Sequence, residues 1–437
     1  MTINIQFLLS QYRHLICTFN FFHLSGEMPK VTLLCDEWLS SKGGLSTINR
    51  RLAIQLSTFS DLKVRLFMPT CSEKEKQLVK KYKIKVYIAQ PSSDSVKWWK
   101  FPPQNFKNTD FIIGHSTVLG KAGRFLRKRY QCKWIQVVHT YPEELGNFKE
   151  YPGAGAAGEK KSEKEIKLCK KADFVVGIGP KLVDHFSGLL HPQKVFCLTP
   201  GIFHEEFSEI EHNPNAEEKK FRVLTFGRAD PEDVSLKGYD IAVKAIARLN
   251  DKSFSLVFVG ANDENRDKFR KKLLCLGISE NQLIVRRYRK SRKKLAQIFC
   301  DADLVIMPSR SEGFGLSALE GLSAGLPILV SWNSGLGEAL RTLPGGSSCV
   351  VDQDASADDD EVVKEWAKEI MKVRQKPRCV RLQEARLLRE QYKNQFSWLK
   401  QCQDLKKEMV ALSPEHSGKL TTDSIHYLFA CIFCHFH

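Results

Sequence analysis

Two carboxylates eight positions apart, Glu312 and Glu320, bracket the run Gly313-Phe314-Gly315 in the stretch MPSRSEGFGLSALEGLSAGLPILVS, residues 307–331. Such a pair admits two chemistries. One is general acid and base work across a glycosidic bond. The other is a clamp in which each acid has a separate duty. A helical carboxylate accepts from two neighbouring hydroxyls, as on a ribose. The bare amides of Gly313, Phe314, Gly315 and Leu316, at the start of a helix, meet sugar or phosphate oxygens.

Three other places carry chemistry-bearing residues. In FGRADPEDVSLKGYD, residues 226–240, Arg228 closes one apolar run and Lys237-Gly238 opens the next helix. Two cations at one strand end can neutralise a diphosphate that departs with its charge. His139 ends the apolar run WIQVVH, where a histidine serves as a structural hydrogen-bonding group or faces a ligand. Gly43 and Gly44, in SSKGGLST, let backbone amides approach a phosphate ahead of a helix N-terminus, although a two-glycine turn before a helix is ordinarily just a turn. The spacing is not G-x-G-x-x-G, so a dinucleotide fingerprint is absent.

The elements that must position these residues follow from hydrophobic pattern. Seven short apolar runs occur at 31–35, 64–68, 85–89, 111–115, 134–139, 174–179 and 194–201. After the polar stretch 208–220 the pattern restarts at 222–228, 256–260, 283–288, 304–309, 327–331 and 349–352. Apolar residues at Leu45, Ile48, Leu52, Leu56 and Phe59 recur at helical spacing between the first two runs. Continuous apolar strands alternating with helices predict α/β architecture: two doubly wound, Rossmann-like domains with parallel sheets, facing a cleft. Ligands in such sheets bind at the carboxyl ends of the strands, where all four features lie.

Composition bounds the rest. A chain of 437 residues accommodates two domains with separate cores. Its net charge of +17 favours anionic partners without choosing among them. The 13 cysteines have no disulfide-like spacing, and no Asn-x-Ser/Thr site occurs, so a reducing, cytoplasmic location is expected. Cys431 and Cys434 have metal-like spacing near His435 and His437, but no second pair completes a zinc site. Residues 1–29 are aromatic and apolar, yet Arg13 and His14 interrupt them. Neither a membrane span nor a signal peptide is supported, and Met28 offers a second start.

The ordered set of Gly-Gly after the first strand, VVHT, GR…KG, EGFGLSALE and the late FSWLKQ resembles the retaining glycosyltransferases of the GT-B fold, specifically family 4. The resemblance covers most of residues 30–412, and the Glu-x7-Glu segment is its specific part. It implies transfer of a sugar from a nucleotide-sugar donor to an acceptor with retention of configuration and without a bound metal or other cofactor. By the same resemblance, Gly43 and Gly44 meet the donor phosphate, and Arg228 and Lys237 bind the diphosphate. Glu312, with the amides of Gly313 to Leu316, contacts the sugar, Glu320 holds the ribose hydroxyls, and His139 lies near the anomeric centre. The domains implied are an extension over 1–29, expected to be poorly ordered, an acceptor-side domain over 30–205, a donor-side domain over 206–394, a returning helix over 395–412 and a tail over 413–437.

Some features depart from the family pattern. The link between Arg228 and Lys237 is long and carries Asp230, Glu232 and Asp233 close to where phosphates would sit. This motivates an alternative reading, a non-catalytic nucleotide-sugar-binding module in a sensing or interaction protein. The basic run RRYRKSRKK, 286–294, and the set Lys121, Arg124, Arg127, Lys128, Arg129 and Lys133 read as solvated faces or as contacts with an anionic acceptor or membrane surface. Weak membrane association is the partner these charges allow. No nucleic-acid motif accompanies them, and the acceptor is unspecified.

Overall fold

The computed structural model describes residues 28–39, 43–91, 95–203, 207, 210, 212–214, 220–261, 264–287, 292–352 and 357–412. Both chain ends, with the terminal Cys-His cluster, most of the 208–220 link and the middle of the basic run 286–294 lie outside the described residues.

Thirteen strands form two sheets, one for each block of apolar runs. The first holds β1 (Lys30–Leu34), β2 (Lys63–Met68), β3 (Lys85–Ile88), β4 (Phe111–His115), β5 (Lys133–Val138), β6 (Phe174–Ile178) and β7 (Val195–Leu198), in the order β3-β2-β1-β4-β5-β6-β7. The second holds β8 (Phe221–Phe226), β9 (Phe254–Ala261), β10 (Leu283–Arg287), β11 (Leu304–Met307), β12 (Ile328–Ser331) and β13 (Val350–Val351), in the order β10-β9-β8-β11-β12-β13. Every pairing is parallel: Val31 sits opposite Val64 on one side and Phe111 on the other, and Val305 opposite Leu224 and Ile328. Helices cover both faces, so β1, β4, β6 and β11 are buried along their whole length. This is the doubly wound architecture that the alternating pattern predicts.

The helix Gly44–Leu56 turns Ile48, Leu52 and Leu56 into the core, each 0–1% exposed. The described residues end in two helices, Arg378–Gln395 and Trp398–Ala411, the second lying within the returning helix expected over 395–412. Phe396 breaks them with φ −117° and ψ 61°. The break lies where the chain crosses beside Gly201, on which a Cβ would come within 2.6 Å of the Phe396 carbonyl oxygen. The Tyr392 hydroxyl donates to the Pro200 carbonyl at 2.8 Å on one side, and the Thr199 amide donates to Gln401 at 3.0 Å on the other. The last helix returns to the first sheet, where Lys406 pairs with Asp61 and Lys194 with Glu408.

In each sheet the strand order reverses at one point, between β1 and β4 and between β8 and β11. Those are the places where a doubly wound sheet opens a crevice at its carboxyl edge.

Candidate active site

The segments that follow β1, β5, β8 and β11 carry the residues singled out above. β11 ends at Met307, and Pro308 to Gly315 lead into the helix Leu316–Ser323. Gly315 caps that helix at φ 110°, a conformation that favours glycine, with Met307 and Leu336 packed where a Cβ would stand. Glu320 falls in the second turn and is part-buried.

Glu312 and Lys237 meet directly. The Lys237 ammonium donates to Glu312 Oε2 at 2.7 Å, and Ser309 Oγ lies 3.4 Å from the same oxygen. Neither side chain is fully enclosed, with 30% of Lys237 and 21% of Glu312 exposed. A pair in that position is accessible to a competing anion. Gly238 makes the approach feasible: its φ is 63°, and a Cβ there would lie 1.8 Å from the Pro308 carbonyl oxygen. A residue not singled out from sequence, Arg310, brackets the two loops. It forks onto Asp240 at 2.8 Å through both terminal nitrogens, reaches Asp359 at 2.9 Å and donates to the Ser235 carbonyl. These carboxylates raise its already high pKa against the opposing effect of burial.

Arg228 is placed differently from Lys237. Its side chain is 76% exposed and lies 3.7 Å from Asp230. The acidic link does not crowd the pair either. Asp233 and Glu232 face the other sheet's loops, where Lys149 pairs with them at 2.9 and 3.1 Å. The Glu150 amide donates to the Glu232 carbonyl, and the Ser235 amide donates to the Glu150 carboxylate.

From the first sheet, His139 follows β5 and reaches the glycine-rich loop. Its carbonyl oxygen would stand 2.2 Å from a Cβ on Gly313, so only a glycine permits that approach. Gly44 lies against Leu316, and Gly179 against the ring of Phe314. Phe314 is 3% exposed, so its side chain packs in the core. Gly43 adopts φ 111° with open space around its Cβ position. Lys181 and Glu144 pair at 2.9 Å and bind Asn333 from the opposite side, through Asn333 Nδ2 to Glu144 at 2.7 Å and Lys181 to the Asn333 carbonyl at 3.3 Å. The structure thus brings Gly44, His139, Lys237, Glu312, Gly313 and Leu316 to one cleft.

His139 is half-buried at the cleft edge, and its ring hydrogen-bonds through Nε2 to His115 at 2.8 Å. Burial lowers its pKa to about 3, so the ring is neutral at physiological pH. His115 and its partner Asn49 carry no motif legible from sequence. Among the described residues, no group of three or more His, Cys, Asp or Glu side chains is placed to share a metal ion. No described helix is long and apolar enough to cross a membrane. On the helix Ser116–Tyr130, Lys121, Lys128 and Arg129 are exposed, whereas Arg127 is held by both oxygens of Asp173.

A family model described as family 4 glycosyltransferase in conflict systems matches residues 32–405. A D-inositol 3-phosphate glycosyltransferase of Arthrobacter sp. (strain FB24) is 26% identical over 269 residues, 58% of this chain and 61% of that protein. The chain spans less than two thirds of the length of the curated relatives it matches, 61%, 56% and 63% for three of them. Among solved structures, sucrose-phosphate synthase of Thermosynechococcus elongatus matches with a TM-score of 0.68 at 17% identity, over 88% of this chain and 100% of that one. HepE of Anabaena, solved with UDP-glucose, matches with a TM-score of 0.61 at 14% identity, over 87% and 99%. The GT-B fold expected from the sequence is the fold observed, and the chain belongs to the family 4 glycosyltransferases, in the group described as acting in conflict systems.

Proposed function

We propose that the protein transfers a sugar from a nucleotide-sugar donor to an acceptor with retention of anomeric configuration and without a metal ion. The observation that carries this reading is the Lys237–Glu312 pair, set in the cleft opposite His139 and beside the first amides of helix Leu316–Ser323. In this reading a donor diphosphate displaces Glu312 from Lys237. The ammonium and the helix-terminal amides then answer the charge that builds on the leaving phosphate. Glu312, once released, accepts from sugar hydroxyls, and Glu320 from those of the ribose. Gly43 and Gly44 complete the phosphate contact from the other side. Residues 206–394 hold the donor, and residues 30–205 with 395–412 hold the acceptor. Closure of the cleft excludes water that would hydrolyse the donor.

HepE supports a uridine nucleotide as the first donor to test. UDP-glucose should raise the melting temperature, since it binds only the folded chain. Lys237→Ala should reduce turnover on the order of 10²–10³-fold while the melting temperature of the unliganded chain shifts little. Full turnover by that variant would sink the assignment.

One observation favours a second reading, a nucleotide-sugar-binding module without turnover. The Arg228 side chain is largely exposed beside Asp230, and Glu312 pairs with Lys237 instead. Saturable UDP-glucose binding with neither transfer nor hydrolysis would support it, and measurable turnover would end it. Weak docking on anionic membrane through Lys121, Lys128 and Arg129 stays part of the proposal and is tested by co-sedimentation with anionic vesicles.

A further inference from the structure

A buried chain of side chains runs from the end of β1 to His139. Asn49 Nδ2 donates to the Leu34 carbonyl at 2.8 Å. Asn49 Oδ1 lies 2.9 Å from His115 Nε2, and His115 Nδ1 lies 2.8 Å from His139 Nε2. Asn49 is 2% exposed and His115 is fully buried. Ser116, directly after His115, has a φ of 48°, an uncommon conformation for a residue with a Cβ. It lies at the turn out of β4 from which the His115 ring projects.

Each proton in this chain has one consistent position. A backbone carbonyl only accepts, so the Asn49 amide must turn its NH₂ toward Leu34 and its oxygen toward His115. That oxygen also only accepts, so His115 carries a proton on Nε2. Neutral His115 then presents a lone pair at Nδ1, and His139 must donate from Nε2. Burial lowers both imidazole pKa values, and His139 lowers that of His115 further, which keeps the rings neutral. His139 Nδ1 is left with a lone pair, and it has no partner among the described residues.

We propose that Asn49 and His115 are positioning residues that hold His139 with its proton on Nε2, so that Nδ1 meets the cleft as an acceptor for a hydroxyl of the donor sugar. The hydroxyl contact rests on the glycosyltransferase reading above. The tautomer does not. With the proton on the other nitrogen, His139 would present a donor where an acceptor is needed, and a hydroxyl would have to turn its own proton elsewhere.

The test uses the full chain labelled with ¹⁵N-histidine and two-bond ¹H–¹⁵N correlation near neutral pH, with the His139 signals assigned by their loss in His139→Gln. The expected pattern is a neutral ring protonated on Nε2. His115→Phe removes the acceptor and should give mixed tautomers at His139. It should lower turnover of UDP-glucose about tenfold, the effect of one hydrogen bond, with KM within about twofold. His115→Asn places an oxygen where Nδ1 stood and should restore both tautomer and turnover. Asn49→Ala, which frees the His115 tautomer without emptying the ring site, serves if His115→Phe does not fold. A His139 proton on Nδ1 in the unaltered chain, or a tautomer unmoved by these variants, would overturn the positioning role. Saturating UDP-glucose should shift the Nδ1 resonance, and its failure to do so overturns the hydroxyl contact. Failure of the glycosyltransferase reading would look different: no turnover by the unaltered chain, with the tautomer pattern intact.

Discussion

Glu165 lies on the inner side of the helix Ala154–Cys169, fully buried, with both carboxylate oxygens lacking a partner in the described structure. Ser162, three residues earlier on the same face, also has a buried hydroxyl without a partner. A buried carboxylate without a cation is disfavoured as the ion, and burial raises the Glu165 pKa from 4.5 to about 8, opposed only by the charge of Lys161. The folded chain therefore keeps a proton that the unfolded chain releases above pH 4.5. Below that value both states hold it and Glu165 costs nothing through ionisation. As pH rises from about 4.5 to about 8, the unfolded state gains, and the folded chain should lose on the order of a few kcal/mol. Glu165→Gln, close in shape to the protonated acid, should abolish that slope and leave the variant more stable than the unaltered chain at pH 8. Urea unfolding at pH 5 and pH 8 checks it, and parallel losses in both chains would refute it. Such a group also marks what the sequence withholds at this scale. The segment GEKKSEKEIKLC contains three glutamates with similar neighbours, and only packing against the helices Pro142–Asn147 and Ser116–Tyr130 decides which one is buried.

At the scale of elements, the link from β8 to the helix Tyr239–Arg248 does more than span a gap. Its acids, Glu232 and Asp233, hold Lys149, and its backbone exchanges two hydrogen bonds with Glu150 from the other sheet's side of the cleft. Lys272, from the second sheet's side, also reaches Glu150 at 2.5 Å. Surface pairs of this kind contribute little one by one, but here they act together and Asp233 is buried. Lys149→Glu places a third carboxylate against two, so the contact becomes repulsive. The variant should raise KM for the donor several-fold, more at low salt than at high salt, with a small change in melting temperature. A KM unchanged across ionic strength would show that this link does not hold the cleft. The contrast with the strands is instructive. Most were legible because buried parallel strands carry continuous apolar runs, and Leu304–Met307 declares itself within four residues. A contact between Lys149 and Asp233 leaves no mark on either segment, and the acids read from sequence as a hazard to phosphate binding.

For the whole molecule, the two sheets close on one another through glycines. Gly313 meets the His139 carbonyl, Gly179 meets the Phe314 ring, and Gly44 meets Leu316. The sequence showed the glycine-rich loops and their place after strands, and it gave Gly44 and Gly313 roles toward a ligand. Their closeness to the opposite unit was not legible, because it depends on how the two sheets are juxtaposed. These contacts differ in what can yield. At Gly44 the neighbour is the end of a leucine side chain at 2.9 Å, which can rotate away. At Gly313 it is a backbone carbonyl at 2.2 Å, held by the strand β5 that precedes it. Gly44→Ala should therefore be accommodated with a small effect on closure. Gly313→Ala should force the units apart, because neither the loop nor the His139 backbone can give way locally. Each unit keeps its own sheet and helices, so the melting temperature should fall only modestly, while the radius of gyration in solution increases and turnover is lost. Small-angle scattering with and without UDP-glucose separates the cases: Gly313→Ala should remain expanded in both, and Gly44→Ala should follow the unaltered chain. An unexpanded Gly313→Ala chain with normal turnover would mean that the close approach at His139 is dispensable for closure, and that the cleft is set by the Phe314 and Asn333 contacts instead.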